Sequence, residues 1–274
     1  MELIKKGLTS FQIKIVALVI MTIDHLAAYK IITVDADINN IMRMIGRIAA
    51  PLFLFLLVEG LHHTRSKKNY IIRLYIAGAG VQIIRELLPV IFSSANAGLP
   101  MGNIMQTFFY TALYITCIEN IINFIKNREK NKKQVIFFIV SLVLMILPFV
   151  FLIKTSSLII SILFPSPFTV EYSFLFVLLG IIWYFINNLY INCALFTVFS
   201  LISGLVDASV FYSKNGYTFW HLFTANQWMM IFAVIFMALY NGKKGNGGFK
   251  YFFYVYYPAH QFLFLFLAVC IFKR

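Results

Sequence analysis

The chain has 274 residues, 61% hydrophobic, 12% charged and 18% aromatic, with three cysteines and a net charge of +13. A soluble domain of this length needs more polar residues to cover its surface, and a disordered chain is poor in aromatics, so both classes are excluded. The positive excess falls in short loops between apolar runs, which reads as a membrane-topology signal and excludes a nucleic-acid partner.

Strand-like alternation over about ten residues does not recur, which argues against an outer-membrane barrel and leaves spanning helices. The apolar runs predict spans at 11–30, 42–63, 69–92, 103–125, 134–153, 172–187, 190–212, 223–240 and 250–272. The expected fold is an all-α polytopic bundle of about nine transmembrane helices around a buried polar cavity, a single domain over residues 1–274. The first run carries Asp24-His25 near its end and leads straight into further spans, so it is not read as a cleaved signal peptide. Segment 154–168 is apolar but broken by Pro165 and Pro167, which suits an interfacial or re-entrant piece. Cys117, Cys193 and Cys270 lie far apart in apolar runs, without disulfide or metal spacing.

Loop charge alternates along the chain. Lys5 and Lys6, then Arg65, Lys67 and Lys68, then Lys126, Arg128, Lys130, Lys132 and Lys133, then Lys243, Lys244 and Lys250 mark one side. The positive-inside rule puts the N-terminus in the cytoplasm and the C-terminus outside a bacterial inner membrane, with lipid as the chain's surroundings; Lys273 and Arg274 run against the last assignment.

Ionisable residues in apolar spans are costly and survive where they pair, line a cavity or do chemistry. In the first span Lys14 and His25 are eleven residues apart, close to three whole turns, so they share a face roughly 16 Å apart along the axis. Asp24 points about 100° away from His25; if it bends back it orients the ring and raises its basicity. The bland reading is that Lys14 snorkels to the inner surface and Asp24-His25 merely pair. In the second span Arg43 and Arg47 share a face, Gly46 permits close helix approach and Pro51 invites a kink. Two guanidiniums there suit an anion or an acyl carbonyl, although Arg43 also reads as an interface anchor.

Glu59 precedes His62 and His63 by three and four residues, where the span leaves the membrane; adjacent histidines diverge, so no metal site is expected. Glu119 and Asp207 are further ionisable residues in or near spans, and Arg85-Glu86 balance charges of neighbouring helices or extend a polar cavity. Asn103 and Thr107 share a face and offer neutral hydrogen bonds. Tyr257 and His260 share a face in the last span, and the stretch Asn241-Gly242-Lys243-Lys244-Gly245 is flexible and basic, suited to phosphates or simply to a solvated topogenic loop.

Taken together, several short pieces are similar to the TraX family. They are Ile23-Asp24-His25; Arg43 with Gly46-Arg47-Ile48-Ala49; Pro51-Leu52-Phe53-Leu54-Phe55; Glu59-Gly60; His63-Thr64-Arg65; Tyr70; and Arg73-Leu74. Glu171-Tyr172, Asn241 to Gly245, Lys250-Tyr251, Phe253-Tyr254, Tyr256-Tyr257-Pro258 and His260 complete the likeness, and with Lys14 it runs from residue 14 to 260. The resemblance implies a bacterial membrane acyltransferase associated with acetylating pilin, with acetyl-CoA as donor. Lys14 followed by His25 also resembles the Arg, ten residues, His pattern of the acyltransferase-3 family, where the histidine is taken as catalytic. Lys for Arg keeps the charge and loses the fork, and Glu171 stands where Asp is expected.

These readings give one mechanism. His25 is the general base or nucleophile, Asp24 tunes it, and Arg47 with Arg43 behind it stabilises the oxyanion. Lys14, Glu59, His63, Arg65, Arg73, Asn103, Thr107, Asn241, Lys243, Tyr257 and His260 are the expected substrate contacts. The acceptor is an amine or hydroxyl of a pilin-like protein, a glycan or a lipid. A small-molecule or proton-coupled transporter, and a non-enzymatic assembly factor for surface structures, are the competing classes.

Overall fold

The computed structural model describes residues 7–91, 103–127, 131–150, 167–168, 170–212, 226–246 and 250–268. Lipid offers no hydrogen bonds to the backbone, so helices that satisfy their own amides are the favoured state. The described helices are α1 (Ser10–Ala28), α2 (Ala36–Gly46), α3 (Ala49–His63), α4 (Lys67–Ile91), α5 (Ile104–Lys126), α6 (Lys132–Val150), α7 (Ser173–Ile186), α8 (Leu189–Tyr212), a 3-10 helix (Gln227–Phe232), α9 (Ala233–Ala238) and α10 (Lys250–Phe266). An isolated bridge joins Leu8 to Tyr240.

Among the described residues four stretches are long and apolar enough to cross a membrane: Ser10–Ala28, Ala36–His63, Ile104–Lys126 and Leu189–Ala208. They coincide with the first, second, fourth and seventh expected spans. Ser173–Ile186 and Gln227–Ala238 are apolar but shorter. Ile15 and Val19 on α1, and Val198, Leu201, Ile202 and Leu205 on α8, are exposed, as lipid-facing side chains are. Residues 154–166 of the proline-broken segment, and the side chains of Arg85 and Glu86, lie outside the described residues.

The second expected span is two helices rather than one kinked helix. Pro51 lacks an amide hydrogen, and its ring would clash with the carbonyl of Arg47 four residues back. The chain therefore tightens before it. Arg47 N donates to Met44 O at 3.2 Å and Ile48 N to Ile45 O at 3.1 Å, and α3 begins afresh at Ala49.

The chain divides into two compact units, one of residues 1–56 with 186–274 and the other of residues 57–185. In the first, α1 packs on α2 and α10, and α8 packs on the 3-10 helix and α9. Thr9 caps α1 in a capping box with Gln12. Two further first-turn amides find carbonyls of the basic loop: Ser10 N donates to Lys243 O at 2.9 Å and Phe11 N to Lys244 O at 3.1 Å. Gly245, at φ +73°, brings the loop against Thr9. Asp207 of α8 accepts from Asn226 N at 3.1 Å and Gln227 N at 3.3 Å, so this intramembrane acid caps the 3-10 helix.

In the second unit α5 packs on α4 and α6. Gly78 of α4 lets the backbone of α5 approach: a Cβ there would meet Gln106 at 3.3 Å.

Candidate functional site

The first unit gathers ionisable groups around the last two turns of α1. Asp24 and Arg43 form an ion pair, Nη1 to Oδ1 at 2.8 Å, and the same Nη1 lies 3.4 Å from the Asp24 carbonyl oxygen. Both side chains are mostly buried, with 15% of Asp24 and 24% of Arg43 exposed. Gly46 makes this possible, because a Cβ at that position would overlap the Asp24 side chain. Arg47 follows at the turn between α2 and α3 and, with Arg43, acts electrostatically on both Asp24 and His25.

His25 faces α10 instead of Asp24. Its Nδ1 lies 2.6 Å from Nε2 of His260, and His260 Nδ1 lies 2.7 Å from the Tyr256 carbonyl oxygen. The two ring planes are 11° apart with centroids 4.9 Å apart. A nitrogen contact as short as 2.6 Å accounts for that separation only if the rings meet edge to edge in nearly one plane. Tyr29 and Tyr257 flank the His25 ring at 6.1 and 6.4 Å between centroids. One turn earlier the Tyr256 hydroxyl lies 2.7 Å from Thr22 Oγ1, which itself donates to Leu18 O, so the α1–α10 contact has two polar rungs.

Lys14 lies over the Phe253 ring at 5.6 Å from its centroid. Asn241 receives the Lys243 amide on its side-chain oxygen at 3.0 Å, and its own amide donates to Leu8 O at 2.9 Å. The side chains of Lys243 and Lys244 are exposed. The first unit thus contains Asp24, His25, Arg43, Arg47, Tyr257 and His260 around one stretch of α1, with Lys14, Asn241 and Lys243 towards the start of that helix.

Glu59, His63, Arg65, Arg73, Asn103 and Thr107 belong to the second unit. Glu59 and His63 are 3.8 Å apart, with His63 73% exposed, a contact worth little in water. The Arg73 guanidinium lies 5.6 Å from the Tyr70 ring centroid. Asn103 Nδ2 donates to Gly78 O and Thr107 Oγ1 to Glu171 O, each at 2.8 Å, so both donors join helices and loops of this unit.

The second unit also holds a cluster absent from the expected site. Lys67 Nζ donates to both carboxylate oxygens of Glu119 and, at 2.7 Å, to Tyr184 Oη, while Tyr184 Oη donates to Glu119. His62 stacks on Tyr184 with centroids 4.1 Å and planes 4° apart. The available signal is Glu119, an acid about two turns from the basic end of α5, matched by a lysine at the first position of α4. Among the described residues no three His, Cys, Asp or Glu side chains gather as metal ligands do.

A family model described as TraX protein matches residues 10–268. Over 74 residues the chain is 34% identical to a Dichelobacter nodosus protein named Probable fimbrial assembly protein FimC, serogroup H1. That stretch covers 27% of this chain and 30% of the relative, so the match spans under a third of the curated relative's length. No solved structure matches the chain.

Proposed function

The chain belongs to the TraX protein family, and from that premise we propose a membrane-embedded acyltransferase that moves an acetyl group from cytoplasmic acetyl-CoA to an amine or hydroxyl of an envelope or extracellular acceptor. The observation that carries the reading is the polar island on α1. A partly buried imidazole is held by a second imidazole at 2.6 Å, and an Asp24–Arg43 pair occupies the next residue. Ion pairing alone would account for Asp24 and Arg43; it gives no reason for two bonded imidazoles inside a span.

In this reading His25 takes the proton of the acceptor as it attacks the thioester carbon. Arg47, with Arg43 behind it, stabilises the negative charge on the carbonyl oxygen. The Asp24–Arg43 pair fixes the guanidinium that faces this end of α1. The exposed Lys243 and Lys244 and the half-buried Lys14 supply positive charge for the phosphates of a polyanionic donor that arrives from the cytoplasm. The likeness to a protein named for fimbrial assembly supports a surface-structure acceptor such as a pilin-like protein, with glycan or lipid as the other chemical classes. The site of action is a bacterial inner membrane with the N-terminus in the cytoplasm, supported by the loop charges.

The test is incubation of the purified protein in lipid with acetyl-CoA labelled in the acetyl group. Release of free CoA and label on an acceptor are expected, and His25→Ala abolishes both while the protein still inserts. Full turnover by His25→Ala would end the reading. A transporter would instead move solute across vesicles without releasing CoA.

A further inference from the structure

The hydrogen bonds around His25 determine which of its nitrogens carries the proton. A carbonyl oxygen can only accept, so the 2.7 Å contact from His260 Nδ1 to the Tyr256 carbonyl puts a hydrogen on that nitrogen. With both rings neutral, His260 Nε2 is then a bare acceptor. Its partner at 2.6 Å, His25 Nδ1, must donate. His25 Nε2 is left with its lone pair free. The edge-to-edge geometry, with planes 11° apart, aligns the shared hydrogen with the receiving lone pair.

His260 is held for this task. It is only 5% exposed, its ring lies between Tyr256 and Tyr257, and the Thr22–Tyr256 contact fixes α10 against α1 one turn away. The carboxylate next to His25 in sequence does not compete, because Asp24 is engaged by Arg43.

We propose that His260 is a positioning residue that fixes His25 in the Nδ1–H tautomer, makes His25 Nε2 the reacting nitrogen, and receives the relayed proton during transfer. The catalytic part rests on the acyltransferase reading. The acceptor N–H or O–H proton passes to His25 Nε2 as the acceptor atom bonds to the thioester carbon. The Nδ1 proton of His25 moves to His260 Nε2, and the resulting positive ring donates to the Tyr256 carbonyl. When the carbon–sulfur bond breaks, the sulfur leaves with its electron pair and takes the proton from His25 Nε2, and His25 Nδ1 recovers its own from His260. The products are the acetylated acceptor and CoA with a free thiol, and both rings return to their starting state.

The experiment is magnetic-resonance measurement of the imidazole nitrogens in the full-length protein in lipid bilayers, with His25 assigned by its loss in His25→Asn. The expected result is the Nδ1–H tautomer at His25, opposite to the Nε2–H form that free imidazole side chains prefer in water. His260→Ala should return His25 to Nε2–H and slow CoA release by about 100-fold or more with little change in KM for acetyl-CoA. His260→Gln, which can still accept from His25 Nδ1, should keep the tautomer while losing the relay. An Nε2–H signal in the native protein, or a tautomer indifferent to His260→Ala, overturns the inference. The native spectrum alone decides the tautomer if the alanine variant fails to fold. Absence of CoA release by the native protein would sink the acyltransferase reading and leave the tautomer assignment standing.

Discussion

Adding one methyl group at Gly46 tests the packing beneath the site. A Cβ there would overlap the Asp24 carboxyl group, which cannot simply swing away because Arg43 holds it at 2.8 Å. Overpacking of this kind costs about 1–3 kcal/mol. Displacing the carboxylate also weakens an ion pair that lies between the exposed limit of about 1 kcal/mol and the buried limit of about 3–5 kcal/mol. Against these stands a helix-propensity gain of about 0.5–1 kcal/mol for alanine over glycine, reduced because Gly46 ends α2. The balance for Gly46→Ala is a loss of roughly 2–3 kcal/mol, a fall in Tm of about 4–10 °C for a chain of this size. In an Asp24→Gly background both the carboxyl group and the Cβ that the new methyl would strike are gone, and the same methyl should be neutral or stabilising by up to about 0.5 kcal/mol. Thermal unfolding in detergent, followed by circular dichroism for the four chains of the double-mutant cycle, measures both numbers. An equal effect of Gly46→Ala in the two backgrounds would refute the 24–46 contact and with it the explanation for how α2 presents Arg43.

Glu119→Gln should destabilise the second unit by about 1–2 kcal/mol, since it leaves the half-buried Lys67 ammonium without its counter-charge; adding Lys67→Met should recover most of the loss in the same melting assay. Gly245→Ala places a side chain at φ +73° and within 2.6 Å of Thr9 Oγ1, so a loss of about 1–2 kcal/mol is expected, with fraying of the α1 start visible as faster amide exchange at Ser10 and Phe11.

How much of this was legible follows from the range of each interaction along the chain. Apolar runs announce helices in lipid, and a charge within such a run is conspicuous, so Asp24, His25, Arg43 and Arg47 stand out from the sequence. The angular offset between Asp24 and His25 is legible too, and the two side chains do turn to different neighbours. The identity of those neighbours is not. His25 and His260 meet only because α10 packs on α1, a contact between opposite ends of the chain that no local periodicity encodes. Hydropathy averages over the break, so the second span reads as one helix; Pro51 signals a disturbance, but its effect falls four residues earlier, at the carbonyl it would strike. Lys67 was hidden for a different reason. Basic residues after a span are expected for topology, and this one is instead bound to Glu119 and Tyr184.

The arrangement on α1 explains why the neighbours must differ. Thr22 and His25 are three residues apart and so lie within about 60° of each other, whereas Asp24 is about 100° from His25. Thr22 and His25 consequently engage α10, through Tyr256 and His260, while Asp24 engages α2 through Arg43. In water a rotation of α1 would exchange these bonds for bonds to solvent at small cost. In lipid no such substitute exists, and each unpaired group would cost about a few kcal/mol. Two polar contacts in different directions from one turn therefore fix the rotation of α1 about its axis more firmly than apolar packing could. The imidazole is aimed by one bond it does not make and one it does: the Asp24–Arg43 pair sets the azimuth of the helix, and the hydrogen bond to His260 sets the tautomer of the ring that this azimuth presents.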